Sequence, residues 1–318
     1  MFRAQDGYVL VGADYSAQEP RLTAHLSNDT KMITAYNEGK DVYCEIASIS
    51  FNKPYEECQE FRADGSTNDE GKERRSQAKK IVLGVLYGRQ IQSIAEQLGV
   101  TEREAQVIYD KVMWGFPQLA EFIKESQTQA RELGYVTTAW GRRRHLPDMQ
   151  LPTYEFSYKS EANNFDPLSF NGKKESNEVP KSVQTKYLKA LKGAKYFKDK
   201  QAIINGALSE GIVIKSNERI IGDAERQCVN ARVQGSAGDL TKLAMIKIGN
   251  DERMKELDFH LLLTIHDELI GECPRENAKE CGERLSMLMR TAADGFLKIP
   301  LKCDVDITTN WYGEELCL

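Results

Sequence analysis

Asp14 and Asp267 lie almost a chain length apart, yet each follows an apolar run of the same kind. Asp14 ends Val9-Leu10-Val11-Gly12-Ala13-Asp14, and Asp267 falls within Leu261-Leu262-Leu263-Thr264-Ile265-His266-Asp267-Glu268-Leu269. Runs this rich in Val, Leu and Ile read as buried strands. A carboxylate beside a core strand is costly unless something positive compensates it. If the two strands are neighbours, the pair forms a pocket of negative charge suited to divalent cations. Oxygen donors without accompanying His or Cys favour Mg²⁺ over zinc. Taken singly, each Asp reads better as a strand-end turn residue, so the stretch between them decides.

That stretch includes Arg74-Arg75-Ser76-Gln77-Ala78-Lys79-Lys80-Ile81-Val82-Leu83-Gly84-Val85-Leu86-Tyr87-Gly88, readable as one helix over 74–88. At about 3.6 residues per turn, Arg75, Lys79, Leu83 and Tyr87 climb one face, while Ala78, Ile81 and Val85 point the other way and pack inward. A cationic face ending in an aromatic ring suits a nucleoside triphosphate, with the cations on phosphates and the ring at the base. In isolation the same helix reads as a solvated basic face with a half-buried tyrosine.

The elements that would carry these residues suggest an α+β chain. Strand-like segments near 8–14 and 260–273 flank a long helical middle, broken at Pro54, Gly65, Gly71, Gly99 and Pro117. Thr101-Glu102-Arg103-Glu104 has the form of a capping box. Residues 222–249 read as a further helix. Leu301–Ile307 alternates apolar and polar side chains, as a half-buried strand does.

Asp14-Tyr15-Ser16-Ala17-Gln18-Glu19-Pro20-Arg21, then Arg75-x₃-Lys79-x₇-Tyr87-Gly88, then His266-Asp267-Glu268 follow the order of motifs A, B and C of family A DNA polymerases. Ala24-His25-Leu26-Ser27, Phe116-Pro117, Gly141-Arg142-Arg143-Arg144 with Pro147-Asp148, and Val233–Leu240 also resemble that family. The resemblance covers about residues 7–148 and 223–312. It implies a palm of antiparallel sheet with helices, in two parts (1–27 and 223–318), and mainly helical fingers (28–148). It also implies that the thumb and exonuclease domains are absent. Residues 149–222 form an insertion of unknown role where the family has a short connection. They read either as a surface elaboration or as an added clamp on DNA or docking site. Within the insertion, Ser182–Leu191 reads as a short basic helix with Val183, Tyr187, Leu188 and Leu191 as its apolar side.

The implied reaction is templated addition of a dNTP to a primer 3′-hydroxyl. Two Mg²⁺ ions, for which Mn²⁺ is a substitute, would be held by Asp14, Asp267 and the backbone carbonyl of Tyr15. Glu268 assists, although strand alternation turns it away from Asp267. Lys79 binds the triphosphate and protonates the leaving pyrophosphate. Arg75 clamps the outer phosphates, Tyr87 stacks near the templating position, and His266 meets primer or nucleotide. Glu19 matches the family's steric gate against a ribose 2′-hydroxyl. Arg226, Asn230 and Gln234, four residues apart on one helix face, face the minor groove, and Arg142, Arg143 and Arg144 contact DNA. The sequence departs from the family at Ala17, where Gln is common, and at Leu83, where an aromatic residue usually packs on the sugar.

The whole-chain composition fits this reading without demanding it. The 318 residues are 41% hydrophobic and 29% charged, with a net charge of −5, so phosphate contacts would depend on local clusters. Arg142–Arg144 is one such cluster, and the lysine-rich stretch from Lys173 to Lys200 is another. Seven dispersed cysteines (Cys44, Cys58, Cys228, Cys273, Cys281, Cys303, Cys317) with no CxxC pair suggest reduced thiols in a cytoplasmic compartment, which the family resemblance implies is that of a bacterium or a phage-infected host. No signal peptide or membrane span is expected. The expected partners are primer–template DNA, dNTPs and a separate chain supplying thumb and exonuclease, as in a split polymerase of bacteriophage type. The competing expectations are a non-catalytic DNA-binding or assembly fragment and, less favoured, a templated RNA polymerase.

Overall fold

A computed structural model describes residues 3–159, 178–311 and 313. Cys317, and Lys173 and Lys174 of the lysine-rich stretch, lie outside the described residues. The chain opens with β1 (Tyr8–Tyr15) and continues through α1 (Gln18–Ser27), α2 (Thr30–Asn37) and α3 (Val42–Phe51). A 3₁₀ turn at Tyr55–Cys58 leads to α4 (Asp69–Leu86), α5 (Ile91–Leu98), α6 (Glu102–Gly115) and α7 (Pro117–Leu133). The hairpin of β2 (Tyr135–Thr137) and β3 (Arg143–His145) follows, then β4 (Tyr154–Tyr158), α8 (Lys181–Gly193), α9 (Phe197–Ser209) and β5 (Ile212–Ser216). The last part holds α10 (Glu218–Gly249), α11 (Glu252–Glu256), β6 (His260–Ile265), β7 (Glu268–Pro274), α12 (Ala278–Arg290) and β8 (Cys303–Thr308).

Local chemistry explains most boundaries. Asp29, Asp41, Asn68 and Thr101 each stand just before a helix and accept a backbone N–H of its first turn, a contact worth about 1 kcal/mol at each start. The Thr101–Glu104 pair forms both halves of its capping box. Gly99 and Gly134 end α5 and α7 in left-handed conformations.

The chain divides into two compact units, Met1–His145 with Arg226–Leu318, and Leu146–Glu225. In the first, β6, β7, β1 and β8 form an antiparallel sheet in that order. Val9, Val11, Ala13 and Tyr15 of β1 are buried, as are Leu269 and Cys273 of β7. Cys281, Leu285, Leu288 and Met289 of α12, which packs on β1 and β8, are buried as well. Tyr15 carries its hydroxyl across this core to donate to the Met289 carbonyl at 2.8 Å. The second unit has its own core of Val179, Tyr187, Leu191, Ala207, Ile212 and Ile214 beneath the β4–β5 ladder.

Four expectations need correction. The strand expected over 260–273 is two strands joined by a tight turn, because His266 takes a left-handed φ of 54° and reverses the chain. Its first half, β6, is not buried: it is the sheet edge, and Leu262 is 48% exposed. Leu188 is also exposed, because α8 buries only the face carrying Tyr187 and Leu191. The helix expected from residue 222 starts at Glu218. The described cysteines are free thiols. Among the described residues no helix is long and apolar enough to cross a membrane.

Candidate active site

Sheet register brings the two distant aspartates together. Asp14 stands near the end of β1, opposite Glu268 of β7 and Asp304 of β8. Asp267 occupies the β6–β7 turn one residue before Glu268, and the Tyr15 N–H donates to its carbonyl at 3.4 Å. The Asp14 and Asp267 carboxyl groups are within hydrogen-bonding reach of each other. Thus β7, not β6, is the neighbour of β1, and the hairpin turn supplies the second carboxylate. Ala17 and His266 both hold left-handed backbones with φ of 54°, a conformation that costs a non-glycine residue on the order of 1 kcal/mol. The surroundings hold that strain in place. Gln18 bonds Thr241 of α10 at 3.2 Å, and buried Arg21 donates to the carbonyls of Ser16 (2.9 Å) and Pro300 (2.6 Å).

A cleft of about 730 Å³ opens over this pair. Its lining brings together Asp14, Tyr15, Glu19, Lys79, Leu83, Tyr87, Gln234, His266 and Asp267, with Tyr43 and Asp304 added. Helix α4 contributes Lys79 and Leu83 and buries Ala78, Ile81 and Val85 beneath them. It ends one residue before Tyr87, whose hydroxyl donates to Glu19 Oε2 at 2.7 Å. Gln234 meets the same hydroxyl. Gly88 follows with φ of 61°, packed so closely on α10 that an added Cβ would lie 2.7 Å from Arg226 Cγ.

Arg75 does not line the cleft. Its guanidinium is held by Asp41 (Nε to Oδ2, 2.6 Å) and Glu60 (Nη1 to Oε1, 3.2 Å) and lies over the Tyr43 ring at 5.5 Å. Lys79 Nζ sits 6.0 Å from the same ring. Sequence reading missed Asp41, Tyr43 and Glu60, because a surface acid and a helix tyrosine carry no spacing signal. Asp304 had one: it occupies an outward position in the alternating Leu301–Ile307 run.

The sequence profile of DNA polymerase family A matches residues 1–165 and 180–313. The chain belongs to DNA polymerase family A. It is 29% identical over 316 residues to the thermostable DNA polymerase I of Thermus aquaticus, covering 99% of this chain and 28% of that one. It is 28% identical over 310 residues to DNA polymerase I of Pseudomonas aeruginosa, covering 98% of this chain and 25% of that one. The chain therefore spans about a quarter of the length of these curated relatives. Among solved structures, it resembles the POL domain of Pol1 from M. smegmatis in complex with DNA primer–template and dNTP. The TM-score is 0.67 at 25% identity, over 97% of this chain and 41% of that one.

The electrostatics of this candidate site are strongly acidic. Burial, then the charge of Asp267 and the hydrogen bond to it, push the Asp14 carboxyl up to about 6, with Glu268 and Asp304 adding smaller repulsions. Glu268 is also raised, by burial and then by Asp306 and Asp267. Its side chain lies on the other side of the strand: Oε1 is 3.1 Å from where a Gly12 Cβ would stand, away from the cleft lining. Burial first, then the bond to Glu19, push the Tyr87 hydroxyl up to about 12. Among the described residues no three Asp, Glu, His or Cys side chains converge as a ready-made metal cage.

The remaining DNA-facing candidates lie outside the cleft lining. Arg226 packs against Gly88, and the Oδ1 of Asn230 is buried without a hydrogen-bond partner. Arg142 folds back on α10, donating to Asp239 at 2.7 Å and to the Gly235 carbonyl at 2.9 Å. Arg143 stacks its guanidinium 4.8 Å over Tyr135, and Arg144 is exposed.

Proposed function

We propose that this chain catalyses template-directed addition of dNTPs to a primer 3′-hydroxyl, with primer–template DNA and dNTPs as its partners. The observation that carries the reading is the meeting of Asp14 and Asp267 under Lys79, Tyr87 and Glu19 in one cleft. A carboxylate such as Asp14, whose ionisation is opposed by burial and by the neighbouring Asp267, calls for a positive charge beside it. All their donors are oxygens, which fits Mg²⁺, with Mn²⁺ as a substitute. Asp14, Asp267 and the Tyr15 carbonyl would hold the ions. When bound, such a pair stabilises charge on the attacking and leaving oxygens of an in-line displacement.

The chain's own groups do the rest. Lys79 binds the triphosphate and holds the proton that the departing pyrophosphate takes. Arg75 must exchange Asp41 and Glu60 for the outer phosphates, so substrate binding is coupled to a rearrangement around α4. Glu19, held by the Tyr87 hydroxyl, crowds the ribose 2′ position and selects deoxynucleotides. Tyr87 offers its ring to the templating base, and His266 its imidazole to primer or nucleotide. Glu268, on the other strand face, tunes the acidic pair from behind. Arg226, Asn230 and Gln234 face the minor groove, and Arg143 and Arg144 meet phosphate.

A separate chain supplying thumb and exonuclease, and a cytoplasmic place of work, belong to the same proposal. The competing reading is a DNA-binding or assembly piece with no turnover of its own. Primer extension with dNTPs or rNTPs, alone and with candidate partner proteins, separates these readings. Asp14→Ala and Asp267→Ala should each abolish extension; unchanged extension in either would end the assignment.

A further inference from the structure

The unit Leu146–Glu225 carries a surface that the cleft chemistry leaves unused. Helix α8 buries Tyr187 and Leu191, so its opposite face, with Lys181, Lys189 and Lys192 in steps of three to eight residues, is exposed to solvent. The chain then turns through Lys195, Tyr196, Phe197 and Lys198 into α9. Tyr196 is 71% exposed and Phe197 80%. Neighbouring Lys186 and Lys200 are neutralised by Glu210 and Glu218. The side chains of Lys181, Lys189, Lys192, Lys195 and Lys198 make no ion pair or hydrogen bond among the described residues.

Two adjacent exposed aromatic rings, bracketed by ammonium groups without a partner among the described residues, mark an interaction surface rather than core packing. The unit's core does not use them, since it closes around Val179, Tyr187, Leu191, Ala207, Ile212 and Ile214. We propose that this α8–α9 face binds single-stranded DNA, with Tyr196 and Phe197 stacking on unpaired bases and Lys189, Lys192, Lys195 and Lys198 meeting the phosphates. Charge complementarity selects a polyanion. The paired rings select a polyanion with accessible aromatic faces, which a duplex hides in its stack and an acidic protein lacks. This adds a DNA contact outside the cleft, and binding there does not require nucleotide transfer.

The test is fluorescence anisotropy on the full chain with labelled oligothymidylate, a blunt duplex and polyglutamate. Tyr196→Ala/Phe197→Ala should weaken oligothymidylate binding by about tenfold or more, because base–aromatic stacking contributes on that order per base. Affinity for the blunt duplex should be unchanged. Tyr196→Phe/Phe197→Tyr keeps the rings and should bind as the parent does. Lys189→Gln/Lys192→Gln should lower the slope of log affinity against log salt by about 1.4 for single strands. All four positions are exposed, and circular dichroism identical to the parent's would confirm that the fold is retained. Oligothymidylate affinity unchanged in the alanine variant overturns the proposal, as does an equal loss on the blunt duplex. Polyglutamate binding with the same dependence on the rings also overturns it, in favour of an acidic protein partner.

Discussion

Gly88→Ala is expected to damage this chain through one contact that joins α4 to α10. The residue holds φ of 61°, and a β-carbon there would lie 2.7 Å from Arg226 Cγ and 2.9 Å from its Cα and Cβ. A left-handed backbone costs alanine about 1 kcal/mol. The overlap adds about 1–3 kcal/mol, since the Cα belongs to a helix and cannot rotate aside. The expected loss is therefore about 2–4 kcal/mol, a large share of the roughly 5–15 kcal/mol that typically holds a protein folded. Gly65→Ala is the matched control: its φ is 83° but no heavy atom lies within 4 Å of the added carbon, so it should lose only the backbone cost of about 1 kcal/mol. Urea denaturation of both variants in one buffer measures the difference. Because Tyr87 precedes Gly88, moving α4 away from α10 should also weaken the bond to Glu19 and raise ribonucleotide incorporation in Gly88→Ala alone. Equal stability losses in the two variants would refute the contact as the cause.

Other expectations follow from contacts in and around the site. Tyr87→Phe removes the hydroxyl bonded to Glu19 at 2.7 Å and should cost about 1 kcal/mol. It should also raise the ratio of ribonucleotide to deoxynucleotide incorporation; a ratio equal to the parent's rejects the gate. Leu83→Tyr places a ring in the cleft lining and should change dideoxynucleotide incorporation, so identical ratios in parent and variant would reject a sugar contact there. Asp251 caps α11 and takes two bonds from Arg284, at 2.6 and 2.7 Å, which hold its carboxyl below the usual range. Its folded value lies below the unfolded one. The stabilisation is therefore complete above about pH 4 and disappears as pH falls through the folded value. Arg284→Met should flatten that acid limb in a series of denaturation midpoints, and an unaltered limb would assign it to other groups.

The Thr101–Glu104 capping box and the one-sided burial of α4 were legible because they depend on neighbours three or four positions away. Thr101–Glu104 formed its box, and Ala78, Ile81 and Val85 turned inward as their spacing implies. The β6–β7 hairpin was not legible, since a continuous apolar run conceals a turn made by His266 in a left-handed conformation. The exposure of β6 and Leu188 was also hidden, because hydrophobicity does not say whether a strand lies at an edge or whether a helix face is covered.

The sequence alone determined which groups exist and in what local frame: two aspartates after apolar runs, a basic helix face ending in tyrosine, and their order along the chain. Tertiary structure decided which of them meet. It set Asp267 beside Asp14 through antiparallel register, tied Tyr87 to Glu19, and diverted Arg75 to Asp41 and Glu60 and Arg142 to Asp239. The physical reason is range. Helix periodicity and capping act over one turn, whereas the repulsion that lifts Asp14 and the ion pairs that restrain the arginines exist only once residues tens to hundreds of positions apart share a low-dielectric space.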